Sequence, residues 1–377
     1  MRYRARLVII HFQPIEYYPP IQNLLSVILN SNIQKEILII STTQYKFNEF
    51  NLNSNAIKIL RINVQSSNRV IRLFKHLKFY ILSLLKLICI MPSKVLYFES
   101  ISAFPAIIYK LLFKKTELLA HYHEYTTPEE YQLGMQLVKW SHFLEKISYS
   151  KYAWISHTNN KRLEFFKNDN KGITECICRV LPNYPLLNWN SQENKILSRF
   201  KSENQPIRLV YIGALSIEDT YISEIIHFVI KHPDKYDLEV FSMQFPDNLN
   251  NLIYNRKSKN VKYSGPINYS DIPSVLIEKE VGLILYKGNT PNYIHNAPNK
   301  LFEYLACGLD VWFPIEMQGC YEYASSENPK VVLIDFLNIE KSIQNYVYSP
   351  GEQYLNKDFT SEYAARNMVS FLKDERK

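Results

Sequence analysis

Short apolar runs alternate along this chain with longer segments whose apolar positions recur every three or four residues. That alternation is expected of parallel strands joined by crossover helices. In the first half it predicts strands over 7–12, 36–41, 56–62, 94–98, 117–121 and 152–156, with helices over 20–29, 69–89, 103–113, 129–148 and 159–166. Residues 180–183 close this series as a short strand and its turn. A polar stretch from 187 to 206, rich in Asn, Ser, Gln and Glu, reads as a linker. A second series follows, with strands over 207–212, 237–242, 261–263, 281–285, 311–313 and 331–334 and helices over 221–230, 272–277, 298–307 and 339–346. A last helix, 361–373, could cross back onto the first domain. The expected fold class is α/β, with two tandem Rossmann-like domains over 1–190 and 205–355. Such sheets bind ligands beyond the carboxyl ends of their strands, so two of them facing across a cleft place the expected site in that cleft.

Composition narrows this picture. With 377 residues, 46% hydrophobic and 21% charged, the chain suits two globular domains and excludes a disordered one. A formal charge of +8 favours an anionic partner, a nucleotide or an anionic membrane surface. No nucleic-acid motif occurs, and none of the five cysteines sits in a metal-ligand or disulfide pattern. The first apolar run is too short for a signal peptide. The longest, 79–91, is 13 residues with Lys86 inside it, short of the roughly 20 that a membrane span needs. A cytoplasmic chain without a membrane span is expected.

The most informative stretch is Asn296-Ala297-Pro298-Asn299-Lys300-Leu301-Phe302-Glu303-Tyr304-Leu305-Ala306-Cys307-Gly308. Pro298 suits a first helical turn with Asn296 as its cap, Gly308 suits the helix end, and Leu301, Phe302 and Leu305 can face a core. Lys300 and Glu303, three apart, share a face. Free amides and a positive dipole at a helix start attract phosphate, and Lys300 adds a full charge. Glu303, one turn on, can accept hydrogen bonds from two vicinal hydroxyls, as a ribose beside a diphosphate requires.

Pro-Asn-Lys-x-x-Glu-Tyr-x-Ala-x-Gly followed by a strand resembles the donor-binding motif of glycosyltransferases of the GT-B fold, especially glycosyltransferase family 4. Tyr211-Ile212-Gly213-Ala214-Leu215 resembles the first strand and turn of their second domain. Val261-Lys262-Tyr263-Ser264-Gly265-Pro266 and Val281-Gly282-Leu283-Ile284-Leu285 resemble the strands that lead to the donor site, and Leu181-Pro182-Asn183 the turn that closes their first domain. The resemblance implies a nucleotide-sugar donor bound by Gly213, Lys287, Asn299, Lys300 and Glu303. It further implies transfer to a saccharide or lipid-linked acceptor, retention of configuration, and neither a metal nor a cofactor. An Asp-x-Asp pair is indeed absent from the sequence.

Three positions depart from the family pattern. His295 stands where members carry the earlier of two Glu residues eight apart. The loop after Gly213 carries Glu218 and Asp219 where members place Arg and Lys. Gln13-Pro14-Ile15 replaces a glycine-rich loop after the first strand. Lys287, Lys300 and a protonated His295 are then the available cations. A non-catalytic nucleotide-sugar binder, or a nucleotide-sugar epimerase or hydrolase, would share the fold.

Two further features bear on function. Ala120-His121-Tyr122-His123-Glu124 ends a strand, where alternation puts His121 and His123 on one face. His123 could polarise or orient a substrate, and Glu124 could hold acceptor hydroxyls or act as a base. With His295 they are the catalytic candidates, while His11 and Asn183 read as packing and turn residues. On a helical wheel of 69–89, Arg69, Arg72, Lys75, His76, Lys78 and Lys86 fall in one half. Val70, Leu73, Phe74, Leu77, Ile81, Leu84, Leu85 and Ile88 fall in the other. The apolar half is expected on the core, and the basic half in solvent or against anionic lipid at the inner face of a membrane. The expected role is a transferase in surface polysaccharide synthesis.

Overall fold

A computed structural model describes residues 7–31, 36–43, 56–192, 205–255, 258–349 and 357–374. The chain divides into two compact units, Met1–Asn183 with Ala364–Lys377, and Tyr184–Tyr363.

The first unit holds seven strands: β1 (Leu7–His11), β2 (Ile37–Thr42), β3 (Ile57–Ile62), β4 (Lys94–Phe98), β5 (Glu117–Tyr122), β6 (Trp154–His157) and β7 (Cys178–Val180). They pair in parallel in the order β3-β2-β1-β4-β5-β6-β7. A strand covered on both faces carries no alternation, and all five residues of β1 are buried. Connections run away from β1 on both sides, so the order reverses between β1 and β4.

The helices of this unit are α1 (Pro19–Asn30), α2 (Arg69–Ile90), α3 (Ala103–Leu112), α4 (Pro128–Leu133), α5 (Gln136–Ser148) and α6 (Asn160–Asp169). The single helix expected over 129–148 is two. Thr127 and Glu130 close a capping box on α4, and the chain turns extended at Gly134, a weak helix former, before α5 begins. The heart of the unit is polar in places. Glu145 of α5 is fully buried and accepts from Tyr97 and Tyr122 hydroxyls at 2.7 and 2.6 Å, and Tyr152 bonds Tyr97 at 2.8 Å.

The expected facing of α2 is overturned. His76, Phe79, Tyr80, Ser83, Leu87 and Ile90 are its buried residues, while Val70, Phe74, Ile81 and Leu85 are 62%, 66%, 59% and 52% exposed. A count of apolar residues chose the wrong stripe because two polar ones pack inward. The His76 ring, for example, meets Phe12 edge-on at 4.7 Å. No helix among the described residues is long and apolar enough to cross a membrane.

The second unit has β8 (Ile207–Ile212), β9 (Tyr236–Phe241), β10 (Val261–Gly265), β11 (Val281–Leu283), β12 (Asp310–Pro314) and β13 (Val331–Ile334), parallel in the order β10-β9-β8-β11-β12-β13. Its helices are α7 (Ile222–Lys231), α8 (Asp247–Asn255), α9 (Ile272–Leu276), α10 (Pro291–Ile294), α11 (Asn299–Ala306), α12 (Ile339–Ser342) and α13 (Ser361–Ala364). The nine-residue α8 and the one-turn α10 are not among the expected helices, and α12 stops four residues short of its expected end. The expected last helix breaks at Ala365. Its second piece, α14 (Arg366–Lys373), belongs to the first unit, where Lys94 Nζ donates to the carbonyls of Phe371 and Asp374 at 3.2 and 3.0 Å. Of the expected linker, 187–192 forms a 3₁₀ turn and 193–204 lies outside the described residues.

Candidate functional site

In the second unit the strand order reverses between β8 and β11, and α11 lies over that point. The Tyr304 ring presses on Gly282 of β11 so closely that a Cβ there would sit 2.3 Å from it. The amide of Ile212, at the end of β8, donates to the Tyr304 hydroxyl at 3.2 Å. Leu301 and Phe302 are buried as expected, while Tyr304 is buried more deeply than Leu305. The helix ends in a Schellman turn. Gly308 N bonds the Leu305 carbonyl at 2.9 Å, Leu309 N bonds the Tyr304 carbonyl at 3.0 Å, and Gly308 has φ 71°. The helix start differs from expectation. Its N-cap is Pro298, which has no side-chain cap, and Asn296 lies outside the helix. The stretch before it passes tight against Gly319, where a Cβ would collide with the His295 and Asn296 backbone.

Lys300 and Glu303 are together, and they face each other. Glu303 is 1% exposed, Lys300 Nζ makes a short contact with its Oε2, and Asn299 Nδ2 donates to its Oε1 at 2.8 Å. Lys300 Nζ also lies 5.9 Å from the Tyr269 ring centre. A buried carboxylate held by one ammonium and one amide is a rigid acceptor beside a helix start whose first amides have no intrahelical partner. Lys287 is turned elsewhere. It donates to the Ile217 carbonyl at 2.9 Å and pairs with Glu224 at 3.4 Å, so it braces the 213–220 loop. Gly213 directly follows β8, its amide bonded to the Phe241 carbonyl at 3.0 Å. His295 closes α10 on the stretch leading into α11.

In the first unit, the carboxyl edge of the sheet gathers His11 (β1), Glu99 (just past β4), His121 and His123 (end of β5), His157 (β6) and Arg162 (α6). The His123 peptide is clamped from both sides. Its N–H donates to Glu99 Oε1 at 2.6 Å, and Arg162 Nη1 donates to its carbonyl at 2.6 Å and to Thr158 Oγ1 at 2.8 Å. The His123 ring stacks on Phe98 at 5.3 Å, meets His121 edge-on at 4.7 Å, and places Nδ1 3.3 Å from Asn183 Oδ1. Burial lowers His123 to about 4 and His11 and His157 to about 3, so all three are neutral near pH 7. Glu124 is exposed and lines a small pocket with Tyr122, Tyr131, His142 and His157. Among the described residues no group of three His, Cys, Asp or Glu could hold a metal ion.

Sequence reasoning passed over Glu99. Burial, with Glu124 adding to it, raises its carboxyl to about 8, and its backbone sits at φ 61°, ψ 150°, a region that favours glycine. A lone Glu after an apolar run carries no pattern that could have marked it. It is the pairing of β4 between β1 and β5 that brings it to the point where the strand order reverses.

No family model and no curated protein matches the sequence. Solved structures do match in fold. The lipopolysaccharide outer core galactosyltransferase WaaB is 12% identical with a TM-score of 0.64, covering 98% of this chain and 99% of its own. Anabaena Alr3699/HepE in complex with UDP and glucose is 12% identical with a TM-score of 0.65, over 98% and 96%. The UDP-GlcNAc 2-epimerase of Methanocaldococcus jannaschii is 13% identical with a TM-score of 0.60, over 97% and 99%. This chain has the two-sheet α/β fold of the GT-B glycosyltransferases.

Proposed function

We propose that the protein is a nucleotide-sugar glycosyltransferase whose second unit binds the donor at the start of α11. The observation that carries this reading is Glu303. It is a nearly inaccessible carboxylate at the carboxyl edge of a parallel sheet, held by Lys300 and Asn299 rather than replaced by an apolar residue. A ribose with vicinal hydroxyls gives it the donors it can accept. Lys300 is then released towards the diphosphate, which also meets the free amides of the helix start. UDP bound by the Anabaena neighbour favours a uridine donor. The first unit presents the acceptor, with His123 and Glu124 beside it and His295 near the donor sugar. Rate comes from positioning and from fixed positive charge on the departing diphosphate, without a metal and with retained configuration.

The acceptor is a lipid-linked saccharide in surface polysaccharide synthesis, and α2 meets the anionic bilayer that carries it. Its outward apolar residues Val70, Phe74, Ile81 and Leu85 lie among exposed Arg69, Arg72, Lys78 and Lys86. Apolar insertion combined with basic anchoring is the chemistry of interfacial binding. Trp140, Phe143 and Ile147 of α5, which packs against α3 as α2 does, extend the apolar surface.

The test is thermal stabilisation of the full chain by UDP-, GDP- and CMP-sugars. One nucleotide class is expected to raise the melting temperature. Glu303→Gln and Lys300→Gln are each expected to weaken that ligand about tenfold, the loss of a charged hydrogen bond. Equal shifts in both variants would remove the site. Isomerised or hydrolysed donor without transfer would favour the epimerase reading instead.

A further inference from the structure

The Lys300 ammonium has two partners from different parts of the second unit. Glu303, one turn on along α11, takes one of its three N–H donors. The other partner is the Tyr269 ring, in the turn that leads from β10 into α9. Its centre is 5.9 Å from Nζ, within the range at which a π face attracts a cation. Tyr269 is half-buried, and the Trp189 ring packs on it with centres 4.9 Å apart. Trp189 is 6% exposed, although its neighbours Leu187 and Asn188 face solvent. Neither Trp189 nor Tyr269 belongs to the hydrophobic core of the unit. The stretch carrying Trp189 is fastened in place: Ser361 N donates to the Pro185 carbonyl at 2.7 Å, and Leu187 N donates to Glu362 Oε2 at 2.9 Å. A second ring of that stretch, Tyr184, packs on Phe302, the neighbour of Glu303, at 4.4 Å. Residues 184–189 therefore reach α11 through two aromatic contacts, one of which ends at Lys300.

We infer that Tyr269, backed by Trp189, is a positioning residue that holds the Lys300 ammonium for the donor's diphosphate, which rests on the donor reading of α11. A lysine side chain loses much rotamer freedom when it is fixed, and that cost falls on ligand binding unless the protein has already met it. Glu303 alone pulls the ammonium towards a buried carboxylate. A π face adds a second attraction without accepting a hydrogen bond of fixed direction, so the ammonium is held while its remaining donors stay available to a phosphate. The effect of Tyr269 therefore runs through Lys300 and through phosphate charge, and a nucleoside without phosphate does not feel it.

The experiment compares UDP, titrated calorimetrically into the full chain, with uridine, followed by ligand-detected NMR; GDP and guanosine replace them if the melting screen selects guanine. Tyr269→Leu keeps apolar bulk on Trp189 and removes the π face. It is expected to bind the diphosphate about fivefold more weakly and the nucleoside within about twofold of the natural chain. Tyr269→Phe, which keeps the face, is expected to bind both within about twofold. In a Lys300→Gln chain, Tyr269→Leu is expected to add less than about twofold, because the group it positions is gone. Any of four results overturns the assignment: natural diphosphate affinity in Tyr269→Leu, equal losses for diphosphate and nucleoside, a fivefold loss in Tyr269→Phe, or full additivity with Lys300→Gln. Should Tyr269→Leu fail to fold, Tyr269→Met decides on the same thresholds. A chain stabilised only by a CMP-sugar, which has no diphosphate, also overturns it. Failure of the donor reading shows separately, as no binding of any nucleotide by the natural chain, and takes this assignment with it; natural binding with an indifferent Tyr269→Leu overturns the assignment alone.

Discussion

The two sheet edges solve the problem of a buried polar group in opposite ways. Around α11 the charges are matched. Glu303 has Lys300 and Asn299, the helix ends in a closed turn, and Gly282 lets Tyr304 settle on the sheet. Around β1 and β4 they are not. His11, His123 and His157 are buried neutral with unpartnered nitrogens, and Glu99 is strained and hard to ionise. A satisfied edge is a preformed cradle that a ligand enters by exchanging partners. An unsatisfied edge gives up stability that a ligand could restore.

The sharpest way to break the comparison is acid. The three histidines have folded values of about 3 to 4, against about 6.5 unfolded, so the unfolded chain takes up their protons first. Their contribution is complete above about pH 6.5 and is lost as pH falls towards 4. At about pH 5 each costs about 2 kcal/mol, so the three together cost on the order of 6 kcal/mol. Calorimetry between pH 8 and pH 5 should show one transition falling steeply, with the second unit's transition moving less. Parallel shifts of both would erase the contrast.

The next effect is on the matched edge. Lys300→Ala strands the Glu303 carboxylate and should destabilise the second unit by about 3 to 5 kcal/mol in denaturant titration, whereas the double change Lys300→Met with Glu303→Leu should recover most of that loss. A single variant as stable as the natural chain would mean that the pair is not the cradle described. Gly282→Ala drives a methyl into the Tyr304 ring and should cost about 2 to 3 kcal/mol, with Tyr304→Ala in the same chain giving a smaller combined loss than the two added. The smallest stability change belongs to Phe74→Ser, within about 0.5 kcal/mol, since that side chain is exposed. It should nonetheless lower sedimentation with anionic phosphatidylglycerol vesicles, and unchanged sedimentation would remove α2 from the membrane contact.

Much of the fold was legible in the chain, for a physical reason. Strands buried on both faces, such as 7–11 and 37–42, are apolar nearly throughout, with polar residues only at their carboxyl ends, and helices between them must be amphipathic, so the order of elements shows directly. The start of α11 was legible as well, because capping, dipole and charge act within one turn. The cap itself was misplaced at Asn296, since Pro298 ends the extended stretch and leaves Asn296 in the loop before it. The facing of α2 was not legible. Two apolar stripes compete on one helix, and only contact with the sheet chose the stripe holding His76 and Ser83.

By itself the sequence determined the class of the fold, the succession of its elements along the chain and the placing of Lys300 and Glu303 on one helix face, all of which are read from residues within a few positions of one another. Only the tertiary structure decided that Lys287 is spent on a loop and that α2 turns Phe74 outward. It alone brings Glu99 to His123, 24 positions away, at the point where the sheet reverses its order. Those outcomes depend on which strands become neighbours, and burial and electrostatics take their values from neighbours in space.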